Sequence, residues 1–494
     1  MNVYIFQKGR CHRMKQQYKL FFGLTAMALV PYLLYGFQYF PILDDYIQYW
    51  GYPARGDLMY VYTVIGTLAT RPMASLLDPL FWGRFWSCLS IALLVITILH
   101  VLSLLLLRRT LNRYHISVSP LFSLLYLLLP LGMEGRFWLS ASTRLVVGLF
   151  FASLSLYFLS RFTEEKKSLL SFILFALFQL IACGFYEAVA VFTGAAAILL
   201  AIISYAKKRD KILFAVPVTS FLSVGALFVY YKLCTGISSL SSRVSGGESI
   251  PLYRNIGALF TQLGEVFALT YHRTVLGCIN GVKVLFSNGL WGIFVLFSIL
   301  LVAFLFSRSK FHHHKKSVPE ILIFELCGLI LFFAPLLPNL IVSEVWITNR
   351  SMFLPLIGLC FMAEPLFALL HKKPQKIVLF LLTFLCLTAA VNEYDIYRRV
   401  NEQDGRLLDA VISQMTPEAK EGTQNVTVVL SKEVTTVQNA FYKDHIKSVF
   451  DSDWALTGAI RARMKSLAPK LVQPVIEGSE FNPENMQIIY IEVE

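Results

Sequence analysis

Apolar residues recur along this chain in long runs separated by short polar stretches. A helix needs ~20 mostly apolar residues to cross a bilayer. Eleven runs approach that length: 20–41, 85–107, 117–132, 145–161, 168–184, 188–205, 212–231, 289–307, 319–341, 351–370 and 376–394. The run at 117–132 is short and ends near Pro130, so it predicts a tilted or kinked span. The pattern reads as an all-α polytopic membrane bundle of about 11 transmembrane helices. After about residue 395 the runs stop. A helix-like stretch at 403–415 precedes the alternating Asn425–Leu430, two helical stretches near 434–449 and 453–466, and a final strand at 487–493. Residues 395–494 therefore read as a small α/β domain.

Composition agrees with the pattern. The 494 residues are 56% hydrophobic and only 15% charged, too apolar for a soluble fold of this length. The net charge of +13 invites a nucleic-acid reading, but the cations sit in clusters between apolar runs and orient the chain instead. With a cytoplasmic N-terminus, the inner segments are 1–19, 107–116, 161–168, 205–211, 308–317 and 371–376. Together they hold 22 Lys or Arg against three acids, whereas the longer outer loops hold 11 Lys or Arg. Every inner segment is basic, so the positive-inside rule predicts a cell-membrane protein with its N-terminus inside and residues 395–494 outside. The basic flank 8–19 and the run after it read as a signal-anchor. The eight cysteines form no CxxC or metal spacing, although Cys234 and Cys278 fall in or beside one outer loop and are near enough in sequence to pair.

Two outer segments exceed simple turns. Segment 42–84 contains an apolar stretch at 58–69, too short to span, which predicts a helix along the membrane surface. Segment 232–288 opens with a Ser/Gly run and continues as an amphipathic stretch, a pattern suited to a substrate gate or a plain linker.

The candidate chemistry lies on the same predicted side. Asp44 and Asp45 follow the first helix, beside Tyr46, Tyr49 and Trp50. Alone they read as a solvated rim with an interfacial aromatic belt. The same side also carries Arg71-Pro72, Glu134, Arg136, Trp138, Arg144, Tyr186-Glu187 and Arg350. Glu187 follows a turn of a few residues, so it sits near membrane depth, where an ionisable group usually faces a polar cavity or a partner. These groups together predict an outward-facing polar cavity. A carboxylate there can take a proton from an acceptor hydroxyl, and an arginine can hold a phosphate leaving group through two hydrogen bonds. Sugar transfer from a lipid phosphate needs both.

At these residues the chain resembles the GT-C glycosyltransferases, multi-spanning enzymes that use polyprenyl-phosphate sugars. The likeness is greatest to bacterial glucosyltransferases that decorate O-antigen or wall polysaccharide. It covers the topology of about the first 395 residues and rests on Asp44-Asp45, Arg71-Pro72 and Tyr186-Glu187. The resemblance implies an acid of the first outer loop, Asp44 or Asp45, as catalytic base. It implies a polyprenyl-phosphate-linked sugar as donor and a surface glycan or polymer as acceptor. Arg136, Arg144 and Arg350 become candidate phosphate ligands, Glu134 and Glu187 candidate partners of sugar hydroxyls, and Tyr46, Trp50 and Trp138 candidate stacking surfaces. Some members use a divalent cation, but the first outer loop has no DxD spacing and no metal site carries over.

Two other readings compete. A polysaccharide polymerase or ligase is also polytopic and uses outer arginines, but the acids here open the first outer loop. A transporter usually places its functional groups at the midplane of two related halves, and no repeat is visible. Glu325 and Glu364 are acids inside predicted spans; Glu364, beside Pro365, reads as structural. His312, His313 and His314 lie among lysines and read as part of the basic inner face, not as a metal site.

Overall fold

A computed structural model describes residues 17–56, 71–165, 168–234, 252–309, 317–340, 345–434, 447–480 and 486–493. Each of the eleven apolar runs contains a helix. Seven helices are long and apolar enough to cross a membrane. They are α1 (Gln17–Tyr35), α3 (Trp82–Arg113), α6 (Leu139–Glu164), α8 (Glu187–Lys208), α11 (Gly289–Ser307), α12 (Val318–Leu340) and α14 (Lys372–Gln414). Between them run α2 (Pro72–Leu80), α4 (Pro120–Leu128), α5 (Glu134–Phe137), α7 (Leu169–Cys183), α9 (Ala215–Cys234), α10 (Leu252–Ser287) and α13 (Pro355–Leu369). The chain is a multi-pass membrane protein. α11 shows why: Leu290, Phe294, Phe297, Leu301 and Leu305 face outward from the bundle, an arrangement stable only against lipid.

The 117–132 run forms a helix of nine residues. Pro130 sets its end, because the residue before a proline is forced out of the helical region, and Leu129 is extended at ψ 131°. Its start is held from another helix. Glu364 accepts hydrogen bonds from the Ser119 amide (3.0 and 2.9 Å), the Ser119 hydroxyl (2.7 Å) and the Phe122 amide (3.2 Å). Glu364 is therefore structural, a carboxylate cap supplied in trans to orphan N-terminal N–H groups.

Segment 232–288 proves mainly helical, since 252–287 form α10. Its buried face carries Asn255, Leu259, Leu263, Val266, Thr270 and Arg273, while Ile256, Phe260, Phe267, Tyr271 and Val275 are exposed. α10 meets α14 closely at Gly281, where a Cβ would lie 1.9 Å from the Thr388 carbonyl oxygen, so only glycine permits the crossing. At its other end Asn255 donates to the Leu340 carbonyl at 3.1 Å and Gln262 to the Val345 carbonyl at 2.8 Å. Cys278 on this helix is a buried free thiol. The surface helix predicted at 58–69, the Ser/Gly run, the triple histidine and the side chain of Cys234 lie outside the described residues.

α14 is one helix of 43 residues, about 65 Å long. It joins the last apolar run to the stretch read separately at 403–415, because Val391, Tyr394, Tyr397, Val400, Leu408 and Val411 continue a single buried face. Beyond it a three-stranded parallel sheet has the order β2–β1–β3, with β1 Asn425–Leu430, β2 Val472–Ile476 and β3 Met486–Ile491. Central β1 is almost wholly buried, as a central parallel strand should be. β2 escapes the sequence pattern because it contains Pro474, which an edge strand tolerates. Helix α15 (Asp453–Met464) packs against β2 and against the turn Tyr46–Gly51. The fit is close, since a Cβ at Gly458 would lie 2.8 Å from an Ile47 side-chain carbon.

Candidate functional site

The sequence-predicted residues gather at one end of the bundle in three adjoining groups. The first is built on the turn after α1. Asp45 is fully buried and both its oxygens are engaged. Oδ2 accepts from the Tyr39 hydroxyl (2.7 Å) and the Ile42 amide (3.1 Å), and Oδ1 accepts from the Ser140 amide (3.1 Å) and hydroxyl (2.5 Å). Tyr39 in turn accepts from the Leu139 amide at 2.9 Å. Burial pushes the Asp45 carboxyl up to about 7; Ser140, Tyr39 and the Ile42 amide oppose the rise, and the charge of Asp44 adds to it. Asp45 thus fastens the first turn to the start of α6. Asp44 is half-buried, and its backbone carbonyl accepts from the Ile47 and Gln48 amides. The two acids differ sharply in access.

Arg144 lies one turn along α6 from Ser140 and is also buried. It pairs with Asp78 of α2 at 2.7 Å and donates to Gln48 (2.8 Å) and to the Ser140 carbonyl (2.8 Å). Burial raises the Asp78 carboxyl, Arg144 lowers it, and nearby Asp44 raises it. Arg144 therefore ties α2 and the 46–51 turn to α6. Sequence reasoning missed Asp78, the lone acid of an apolar aromatic stretch seven residues after Arg71.

The second group sits at the start of α2. The Arg71 guanidinium lies 4.1 Å from the Tyr186 ring centroid and 3.5 Å from Glu187. The Met73 amide donates to the Gly184 carbonyl at 3.0 Å, so α2 is docked on the turn before α8. Glu187 does find a partner, as its depth predicts.

The third group centres on α5. Gly132, at φ +80°, brings this segment within 2.7 Å of the Phe353 backbone, measured from an added Cβ, a position closed to other residues. Buried Glu134 accepts from the Arg350 amide at 3.1 Å and pairs with Arg273 at 3.4 Å. The Arg350 guanidinium lies 5.6 Å from the Trp138 ring. Arg136, Glu134 and Arg273 all lie within electrostatic reach of Glu393 on α14. Buried Tyr397 feels the charges of Glu393, Glu134, Asp45 and Arg273. Arg273, Glu393 and Tyr397 were not singled out from sequence. Glu393 was legible: it is an acid at the end of an apolar run, the same signal that marked Glu187.

Asp45 has both oxygens on hydrogen-bond donors and Asp78 pairs with Arg144; among the described residues no three His, Cys, Asp or Glu converge. No protein-family model matches the chain, and no curated protein matches it.

Proposed function

We propose that this chain is an inverting glycosyltransferase of GT-C type that moves a sugar from a polyprenyl-phosphate carrier to a glycan acceptor. On this reading the chain crosses the cell membrane about eleven times. The end bearing Asp44 and the sheet domain face away from the cytoplasm, and the basic loops face it.

One observation carries the assignment. Of two adjacent carboxylates, Asp45 is fully buried and locked by four hydrogen bonds, whereas Asp44 is only half-buried. Asp44 is the base and Asp45 is its anchor. Asp44 takes the proton of an acceptor hydroxyl as that oxygen bonds to the anomeric carbon. The bond from that carbon to the phosphate oxygen breaks, and the phosphate leaves on the lipid with the electron pair. Attack opposite the leaving group inverts the centre. The leaving charge needs a cation, for which the sequence offers Arg136, Arg144 and Arg350.

The test is transfer by purified protein, given a polyprenyl-phosphate hexose and surface glycan from its own source. Asp44→Asn should lose about 10²- to 10⁴-fold in rate, the usual contribution of a general base, and remain folded. Wild-type transfer by Asp44→Asn would remove the base assignment. Movement of lipid-linked glycan across vesicles without a new glycosidic bond would favour a transporter.

A further inference from the structure

The end of the bundle away from Asp44 holds a space that the functional site does not use. α3, α6 and α8 all finish at that end, where Lys207 donates to the Tyr114 carbonyl at 3.0 Å and Arg113 pairs with Glu165 at 2.8 Å. Between these helices and α4, α12 and α13 lies a half-open crevice of about 550 Å³, counting the part open to its surroundings. Its walls include Phe192, Ala196 and Ile203 of α8 and Leu331 of α12, and only Thr110 and Cys327 bring a heteroatom to the lining. α8 packs on the Ala334–Leu340 turn at the far end of α12, whereas Cys327, nearer the basic end, is only half-buried. Ile323, Leu326 and Ile330 around Cys327 are exposed, as is Ile202 beside Ile203, so the opening faces lipid. Protein interiors are close-packed, and wall atoms beside an empty apolar space forfeit their dispersion contacts. Something apolar belongs in this crevice.

We infer that the crevice takes one acyl chain of an anionic glycerophospholipid from the leaflet at the basic end of the bundle. Three features choose that occupant. The first is charge. Phe192, Ala196, Leu199 and Ile203 line the crevice as one stripe of α8, and Lys207, one turn beyond Ile203, is the next member of that stripe. Lys207 is exposed, and an ammonium has three hydrogens, of which the Tyr114 carbonyl takes one. A phosphate at the mouth of the crevice meets this cation. The second is Thr110. Its hydroxyl lines the crevice, is 1% exposed and has no hydrogen-bond partner among the described residues, although buried hydroxyls are nearly always bonded. Thr110 lies one turn before the end of α3, at a depth that suits the ester carbonyl of a glycerophospholipid as acceptor. An isoprenoid phosphate has no such carbonyl. The third is length. The stripe from Phe192 to Ile203 rises about 16 Å, one leaflet of a ~30 Å hydrocarbon core. The site stands at the opposite end from Asp44 and does not depend on the proposed transfer reaction.

Native mass spectrometry of the delipidated full-length protein, titrated with dioleoyl phosphatidylglycerol, tests the site. Dioleoyl phosphatidylcholine and the diether analogue of the phosphatidylglycerol are companion probes. Wild type should hold one phosphatidylglycerol tightly, and phosphatidylcholine about fivefold less tightly, the effect of one lysine near a membrane surface. Lys207→Gln should erase that preference, and Thr110→Val should erase the preference for ester over ether. Ala196→Phe, which places a ring in the crevice, should weaken every lipid about tenfold or more, as loss of two buried methylenes does. Cys327→Phe, from the facing wall, replaces it if that variant does not fold. Wild-type affinity in the filled variant overturns the site. Preferences that survive both Lys207→Gln and Thr110→Val place the lipid elsewhere and overturn it too. Undecaprenyl phosphate displacing phosphatidylglycerol at equal concentration removes the phospholipid and gives the crevice to an isoprenoid.

Discussion

The two ends of the bundle use charge in opposite ways. At the basic end, cations close helix termini. Arg108 donates to the Ser119 and Val118 carbonyls and the Ser123 hydroxyl, Lys207 donates to the Tyr114 carbonyl at 3.0 Å, and Lys208 donates to the Thr163 carbonyl. These partners are mostly backbone oxygens beside helix ends, and Arg113 and Lys208 also pair with Glu165 (2.8 Å) and Glu164 (2.9 Å) at the end of α6. At the acidic end the partners are side chains drawn from remote segments. Asp45 meets residue 140, Asp78 meets Arg144, and Glu134 meets both Arg273 and residue 350. One arginine of that end, Arg136, has no side-chain hydrogen bond or ion pair among the described residues. Charges that only finish a fold become saturated locally. Charges that build a site are buried, linked across the sequence and left incomplete at one or two points.

This contrast is sharpest in the ion pair. Arg144→Gln leaves the fully buried Asp78 without its cation. Removing one partner of a buried pair typically costs about 3–5 kcal/mol. Arg144→Gln should therefore unfold far below wild type in a thermal melt, with α2 and the 46–51 turn loosened first and showing faster hydrogen exchange. A melt within a degree or two of wild type would mean that the pair holds nothing together.

Glu364→Gln probes the other end. The amide keeps one oxygen but turns an NH₂ toward N–H donors of residues 119 and 122. We expect a loss of about 1–3 kcal/mol, the cost of an unsatisfied buried donor, with transfer per folded molecule unchanged. Transfer that falls while the melt does not would move Glu364 into the functional machinery and blur the distinction between the ends.

The basic end was largely legible in the sequence, because its clusters follow from topology and Glu364 with Pro365 already read as structural. The helices were legible too, since apolar runs carry them. The acidic end was legible only as a list of residue types. Asp44 and Asp45 are neighbours with the same chemistry, and nothing local says which is buried. That depends on Ser140 and Tyr39, brought in by the packing of α6. Arg144 and Arg136 likewise look alike until Asp78 claims one of them. Arg273 was hidden in an outer segment read only as an amphipathic stretch, where a helix exposing Phe and Ile on one face and burying Arg and Asn on the other does not announce which face is buried.

Asp45→Asn gives the most specific effect. The folded carboxyl titrates near 7, whereas an unfolded aspartate titrates near ~3.9. Between those values the native state binds more protons than the unfolded chain, so stability falls as pH rises. The stabilising contribution is fully present below pH ~4 and lost by about pH 7, after which it is flat. Asparagine cannot titrate, so the variant lacks this slope. The advantage of wild type over Asp45→Asn in melting temperature should be greatest at low pH and shrink by a few degrees as pH rises toward about 7. The comparison also separates Asp45 from Asp44, whose substitution should alter turnover and leave the pH dependence of the melt in place. A difference between wild type and Asp45→Asn that stays constant or grows with pH would show a carboxylate already ionised in the folded state. The four donors around Asp45 would then outweigh its burial, and the anchor would be an anion held by hydrogen bonds.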